Sequence, residues 1–407
     1  MPYCRRVKGK KYRDCLSCLL SLEIQDEGVK GCIREIIKSS EFKKVVEVAS
    51  EQNVAQVVYH NLLRLGLVQS VEHKAKDLLE EIYAKRITKN IFLRNELIQT
   101  LKILSQQGIQ VMLLKGVVSF FEKYYSDVPL RFMQDIDLYI RSEDLERVSR
   151  DFHELGYKEY TEEHGFHRIF YKSAGVHYYI ELHYLPTSEA LMGYFKSVDL
   201  WQKATLCETA EAIFYLPSPT HLFYYKLVHD TVLHKHLFRL RYHDLYDGAA
   251  MVKFYGNKIQ WNELLELTRS NGLDFNLQVY AQAIVSTGLF QGIKEYVPVS
   301  KQIEKYVSWI YRNMRRTRSI CAKERFIYIH NKSQNIFDFI LKSRRILWDT
   351  YVLNEDRNVI IALYPKAFKD NRPIVPCIII EGIHFCRLLI LHVIVTVSYW
   401  ISTIRGD

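Results

Sequence analysis

Two acidic residues interrupt an apolar segment that otherwise has the composition of a buried β-strand. In RFMQDIDLYI, Asp135 and Asp137 alternate with the apolar residues Ile136, Leu138 and Ile140. Side chains two residues apart share one face of a strand, so the two carboxylates point together while the apolar residues face a core. Neighbouring carboxylates repel each other, and a bound divalent cation usually offsets that cost. An edge strand with both acids in solvent is the alternative.

A second segment farther along the chain repeats the pattern. In VHYYIELHY, Glu181 and His183 share one face of a predicted strand, and Ile180 and Leu182 share the other. If the two strands are neighbours, Glu181 joins the aspartate pair. Three carboxylates on adjacent strands form a site for two Mg²⁺ ions, which can hold the attacking and leaving oxygens of a phosphoryl transfer. His183 is either a contact to the metal or acceptor, or a hydrogen-bonded residue of the sheet.

The segments before the acidic strand predict helices and one strand. Apolar residues recur at every third or fourth position from residue 15 to about residue 105, which is typical of helices. This region ends at Gly108, a predicted helix C-cap. The short apolar run IQVMLLKG then predicts a buried strand, and VVSFFEKYYSD predicts a helix.

The segments after the acidic strand complete a small α/β unit. SEDLERVSRDFHELGY predicts a helix with Ser142 as its N-cap and Gly156 at its end. RIFYKS and VHYYIELHYLP predict two antiparallel strands joined by a turn around Ala174 and Gly175. From Pro217 to about residue 345 the sequence predicts mostly helices again. Together these elements predict an α/β (α+β) fold with a small mixed sheet between N-terminal and C-terminal helical regions.

The charge of the chain limits the class of its partners. The 407 residues carry a net charge of +10, and such a basic excess favours nucleotides, nucleic acid or a membrane surface. The basic run YRNMRRTRS at 311–319 is interpreted as a solvated helix face, because no nucleic-acid-binding module accompanies it. Nucleic acid is therefore not an expected partner.

The eight cysteines indicate neither a disulfide framework nor a zinc ribbon. Cys15 and Cys18 form a lone C-x-x-C pair, whereas structural zinc usually needs four ligands. A chain of this length does not need disulfides, so reduced thiols and a cytoplasmic location are expected. No apolar segment of signal-peptide length follows the basic N-terminus, and secretion is not expected.

The C-terminal segment LLILHVIVTVSYWISTI, residues 388–404, contains no formal charge. A membrane-spanning helix needs about 20 apolar residues, and this run is shorter and contains a histidine and several hydroxyl groups. Three interpretations stay open: a membrane-associated anchor peripheral to the inner membrane, a buried final helix or strand pair, and a partner-binding segment.

The order of the motifs resembles the nucleotidyltransferase superfamily that includes polymerase β. More closely, the chain resembles an uncharacterised bacterial nucleotidyltransferase family. The matching motifs are LLKG at 113–116, Arg131, DIDLYI at 135–140 and IELHY at 180–184. The later segments KLVHD at 226–230 and RLRYHDLYD at 239–247 resemble the C-terminal helical segment of that family.

The resemblance implies a role for each acid. Asp135 and Asp137 would be metal ligands, and Glu181 would be a third carboxylate that helps to activate an acceptor hydroxyl. Gly116 would begin the turn whose amides face the triphosphate. One departure is Val117, which stands where the superfamily has a second small residue.

Four further residues are candidates for nucleotide binding. Lys115 either holds a phosphate as a point charge or is a strand-end lysine reaching solvent. Arg131 either chelates phosphate oxygens or forms a structural ion pair to a helix end. Helical spacing brings Lys226 and His229 within one and a half turns, near the base or sugar if they contact the nucleotide.

These features predict a function and a domain organisation. The expected reaction is Mg²⁺-dependent transfer of a nucleoside monophosphate from an NTP to an unidentified hydroxyl-type acceptor, which is a small molecule, sugar or peptide. The alternative is a catalytically weak nucleotide-binding or scaffold protein of the same fold. The predicted regions are helical at 1–105, catalytic at 106–216, helical at 217–345 and an apolar tail at 346–407.

Overall fold

A computed structural model describes residues 12–23, 27–160, 165–172, 178–210, 212–233 and 241–313. The apolar tail and the end of the predicted C-terminal helical region lie outside the described residues. The described sheet and the helices up to residue 286 belong to one compact unit that extends to Ser308. The boundaries of the four predicted regions stay predictions.

Helices precede the sheet, as the periodicity predicts. They are α1 (Tyr12–Leu20), α2 (Glu27–Ile37), α3 (Phe42–Glu51), α4 (Ala55–Arg64) and α5 (His73–Gln106). The C-terminal half of α5 buries Leu93, Leu97, Leu101 and Leu104 completely, and this stripe at helical spacing faces the sheet. Helix α5 ends before Gly108, whose φ of +73° favours glycine. The predicted helix end at Gly108 is thus confirmed, although Gln107 is the C-cap residue.

The sheet has seven strands within the described residues. They are β1 (Met112–Leu113), β2 (Asp135–Tyr139), β3 (Lys158–Glu159), β4 (His167–Tyr171), β5 (Tyr179–His183), β6 (Thr205–Glu208) and β7 (Ile213–Leu216). Their order is β3-β4-β5-β2-β1-β7-β6. The pairs β2–β5 and β1–β7 are parallel and the other pairs are antiparallel. The predicted mixed sheet is therefore confirmed, including the antiparallel pairing of β4 with β5.

The connection after β2 differs from its prediction at one end. Helix α6 (Leu145–Glu154) starts after a 3₁₀ turn at Ser142–Asp144, and no side chain caps its first turn. The predicted N-cap at Ser142 is therefore wrong. The predicted end is confirmed, because Gly156 follows the helix with a φ of +81°.

Two further segments differ from their predictions. The segment after β1 forms a 3₁₀ turn at Lys115–Phe120 rather than an α-helix. Val117 and Val118 in this turn are completely buried, and their β-branched side chains lower the helix propensity of the segment. The hairpin β6–β7 was not predicted, because its strands are short and much of β6 is exposed.

Helices follow the sheet again. They are α7 (Pro219–Val228), α8 (Tyr242–Tyr255), α9 (Trp261–Ser270), α10 (Asp274–Ser286) and α11 (Lys301–Asn313). Pro219 opens α7, and the Ser218 hydroxyl accepts a hydrogen bond from the His221 amide. A π-helical turn at His229–Leu233 continues α7. None of the described helices is long and apolar enough to cross a membrane.

Candidate active site

The three predicted acids meet on one face of the sheet. In the parallel pair β2–β5, Asp137 lies directly opposite Glu181, and Asp135 lies two residues earlier on the same face. Carboxylate oxygens of all three residues lie within 4.8 Å of one another. Asp137 is 1% exposed, so its charge is largely withdrawn from water. The arrangement fits a cation, because three carboxylates this close together, one of them buried, need positive charge beside them.

Lys115 supplies positive charge to this cluster. Its Nζ lies 2.6 Å from Asp137 Oδ1 and 3.1 Å from Glu181 Oε2. The backbone of Lys115 has a φ of +49°, a left-handed conformation that costs a residue with a side chain about 1 kcal/mol or more. From this turn the side chain places its ammonium beside the acids. Lys115 is therefore not a strand-end lysine that reaches solvent, because its ammonium is paired with two carboxylates.

Two histidines complete the polar face. His183 is completely buried, and its Nε2 lies 3.0 Å from Asp137 Oδ1 and 3.4 Å from Glu181 Oε2. Its Nδ1 is buried and has no hydrogen-bond partner among the described residues. On β4, His167 lies opposite His183, with ring centroids 5.0 Å apart. Because His167 appears in no local motif, the sequence offered no signal for it beyond the predicted pairing of the strands.

The protonation states within the cluster differ strongly. Burial, reinforced by Asp137 and Glu181, raises the pKa of Asp135 to about 7. Burial also opposes ionisation of Glu181, but Lys115 and His183 outweigh it and hold the pKa of that carboxyl well below its usual range. Burial would lower the pKa of Lys115, yet the facing carboxylates raise it. Without a metal, Glu181 is therefore ionised and Lys115 is charged, while Asp135 is partly protonated near neutral pH.

Gly116 lets Arg131 approach the turn closely. A Cβ built on Gly116 would overlap Nη1 of Arg131 and would lie 2.9 Å from the sulfur of Met133. Arg131 forms a bidentate ion pair with Asp247, with Nε 3.0 Å from Oδ1 and Nη2 2.9 Å from Oδ2. The structure thus places Arg131 in an ion pair with α8. A phosphate contact from Arg131 stays a prediction.

A second buried charge cluster surrounds Asp247. Lys226 Nζ lies 3.0 Å from Asp247 Oδ2 and 2.8 Å from Asp230 Oδ2. The Tyr125 hydroxyl donates to Asp247 at 3.0 Å. Burial opposes ionisation of Asp247, but Arg131 and Lys226 outweigh it and lower the pKa of that carboxyl. Lys226 therefore links α7 to α8 through these ion pairs. Its contact to the nucleotide stays a prediction.

His229 lies where α7 passes into the π-helical turn. Its Nδ1 lies 3.1 Å from Asp230 Oδ1, and its ring stacks on Tyr225 with an interplanar angle of 17°. Burial, with Lys115 and Lys226 nearby, holds the pKa of His229 well below its usual range. A neutral imidazole beside an aromatic ring is suited to contact a base or sugar, which stays a prediction for this residue.

Replacing Gly116 with alanine is expected to destabilise the protein. The new methyl group would displace the guanidinium of Arg131 from its place beside Asp247. Overpacking of this kind costs about 1–3 kcal/mol in the free energy of unfolding, measurable by urea denaturation. The control is Gly193→Ala, because a Cβ at Gly193 meets no atom within 4 Å. Equal unfolding midpoints for the two variants would contradict the close packing.

Comparison with known proteins agrees with this geometry. A sequence profile of the family described as "Uncharacterised nucleotidyltransferase" matches residues 38–284. The match covers more than half of the chain and includes all seven strands and the three acids. No curated protein matches the chain. The chain therefore belongs to this family of uncharacterised nucleotidyltransferases.

Proposed function

We propose that this protein transfers a nucleoside monophosphate from an NTP to a hydroxyl-type acceptor and releases pyrophosphate. Family membership supports nucleotidyl transfer in general. The observation that carries the finer proposal is the convergence of Asp135, Asp137 and Glu181 within 4.8 Å on one sheet face. Carboxylate oxygens are the ligands that Mg²⁺ prefers, so these residues would hold two Mg²⁺ ions. When bound, the ions would neutralise the negative charge of the triphosphate and polarise the oxygens of the reacting phosphoryl group.

The side chains around the acids suit the remaining tasks. Glu181 is kept ionised by Lys115 and His183, so as a metal-binding carboxylate it would help to activate the acceptor hydroxyl. Lys115 would exchange its carboxylate partners for a phosphate oxygen of the NTP, since its ammonium stays charged and already faces the acids. The basic surface of the chain, with a net charge of +10, would draw the nucleotide toward the site.

The direct test uses purified protein with Mg²⁺ and each NTP labelled at the α-phosphate. The proposal expects the label to appear in an acceptor, or in the protein itself, together with released pyrophosphate. Acceptor candidates are offered as pools of sugars, peptides and small hydroxyl compounds. Nucleotide binding without pyrophosphate release under every acceptor pool would contradict the proposal.

That negative outcome would favour a nucleotide-binding or scaffold protein of the same fold. One feature of the turn supports this second candidate. Val117 occupies the place of a second small residue and is completely buried. The Ser119 hydroxyl does not replace it, because it donates to the Gly116 carbonyl at 2.7 Å. The turn therefore lacks the hydroxyl contact that the superfamily offers to phosphate.

Metal binding is expected to weaken as the pH falls. Because the pKa of Asp135 is raised to about 7, its carboxyl holds a proton below that pH, and a metal must displace this proton to bind. The apparent Mn²⁺ affinity should therefore drop by up to about tenfold for each pH unit below 7. Calorimetric titration between about pH 6 and pH 8 measures the slope. Asp135→Asn should flatten it, and a pH-independent affinity in the natural protein would contradict the prediction.

A further inference from the structure

Two sets of metal-ligating side chains share Glu181 on one face of the sheet. Asp135 and Asp137 give the first set carboxylate oxygens, and His167 and His183 give the second set ring nitrogens. In each set the ligand atoms lie within 4.8 Å of one another. The first set accounts for the proposed Mg²⁺ ions, whereas neither histidine of the second set, called here the nitrogen set, is a metal ligand in that proposal.

The strand register brings together the nitrogen set (His167, Glu181 and His183), as it does the acidic set (Asp135, Asp137 and Glu181). His167 on β4 pairs with His183 on β5, and Glu181 precedes His183 by two residues, on the same face. The two ring centroids are 5.0 Å apart. Nε2 of His183 faces the carboxylates and lies 3.4 Å from Glu181 Oε2. Two imidazoles and a carboxylate therefore converge at a place from which most water is excluded.

The chemistry of these donors differs from that of the acidic set. Mg²⁺ takes oxygen ligands and gains little from imidazole. Zinc and other late first-row ions bind imidazole well, and two histidines with one glutamate are a known ligand set for zinc. We propose that His167, Glu181 and His183 form a second metal site that takes a transition ion of the zinc class. Glu181 would be shared between this ion and the Mg²⁺ site.

A purely supporting role for the histidines makes a different prediction. As hydrogen-bond donors, His167 and His183 would orient the acids, and every bound metal would have oxygen ligands only. Spectroscopy separates the two roles, because a coordinated ring nitrogen changes the spectrum of the ion, whereas a hydrogen-bonded ring does not.

The first experiment uses the unaltered full-length chain. The protein is freed of metal with a chelator, loaded with one equivalent of Zn²⁺ in the presence of excess Mg²⁺, and measured by X-ray absorption at the zinc edge. The proposal expects the scattering pattern of coordinated imidazole. An oxygen-only shell, or no Zn²⁺ retained against excess Mg²⁺, would overturn it. This measurement needs no variant and therefore does not depend on a variant's folding.

The second experiment assigns the ligands by separating the two sets. His167 belongs to the nitrogen set alone and Asp135 to the acidic set alone, so His167→Gln and Asp135→Asn are matched variants. Titration with Co²⁺ in the presence of excess Mg²⁺, which occupies the acidic set, is followed by visible absorption after circular dichroism has shown that each variant is folded. His167→Gln should weaken Co²⁺ binding at least about tenfold and change the spectrum. Asp135→Asn should retain both affinity and spectrum, and the reverse pattern would overturn the assignment.

The proposal rests on the proposed function only in that Glu181 serves both sites. Both experiments measure metal binding without nucleotide. A protein that holds Zn²⁺ through imidazole but never releases pyrophosphate would confirm the nitrogen site and contradict the transfer activity. A protein that transfers nucleotides but binds metal only through oxygen would support the transfer activity and contradict the nitrogen site. The two failures are therefore distinguishable.

Discussion

Replacing Asp137 by asparagine is expected to lower nucleotidyl transfer about a thousandfold or more. Asp137 is the most buried of the three acids, and the loss of its charge removes a ligand that the transition state needs throughout the transfer. Asparagine keeps the shape of the side chain and leaves Lys115 paired with Glu181 at 3.1 Å. The measurement is the rate of pyrophosphate release with labelled NTP, together with Mn²⁺ affinity.

The control for this variant is Glu143→Gln. Glu143 is an exposed acid shortly after β2, so its replacement changes the net charge equally but leaves the candidate site intact. Transfer by Glu143→Gln should equal that of the natural protein. If Asp137→Asn retained more than about a tenth of the activity, the acids would not bind the catalytic metal, and the proposed mechanism would be wrong.

Replacing Asp247 by asparagine is expected to cost about 3–5 kcal/mol in the free energy of unfolding. The variant would leave the guanidinium of Arg131 buried without its carboxylate and would weaken the pairing of Lys226. Removing one partner of a buried ion pair is costly because the other charge stays out of water. Urea denaturation of the metal-free protein measures the change, and Glu266→Gln, an exposed acid on α9, should shift it by less than about 0.5 kcal/mol.

A double variant separates the ion pair from other effects at this position. Combining Arg131→Met with Asp247→Asn removes both members of the bidentate pair, so part of the stability lost in Asp247→Asn should return. If the two single losses simply added, the residues would not interact energetically. That result would contradict the geometry of the pair, whose two contacts are 2.9 and 3.0 Å long.

The acidic site could be predicted because a strand has a strict period of two. Once Ile136 and Leu138 must face the core, Asp135 and Asp137 have only the opposite face, and the same argument applies to Glu181. The adjacency of β2 and β5 was a condition of that prediction, and the structure meets it with Asp137 directly opposite Glu181. The alternation of apolar and acidic residues was thus sufficient to predict which face of the sheet carries the site.

The partners of Arg131 and Lys115 could not be predicted in the same way. Arg131 and Asp247 are 116 residues apart in the chain, and no local period relates a loop to a helix at that distance. The left-handed backbone of Lys115 could not be predicted from its sequence either, because lysine rarely adopts this conformation. The hairpin β6–β7 escaped prediction because its strands are four residues each and β6 is mostly exposed.

The left-handed backbone at Lys115 limits which residues suit this position. A glycine at this position would adopt the positive φ without strain, but it would bring no ammonium to the carboxylates. Lysine keeps a positive charge beside the carboxylates at a cost of about 1 kcal/mol or more in backbone strain. The stability of the turn and the charge balance of the site thus make opposing demands on this one residue.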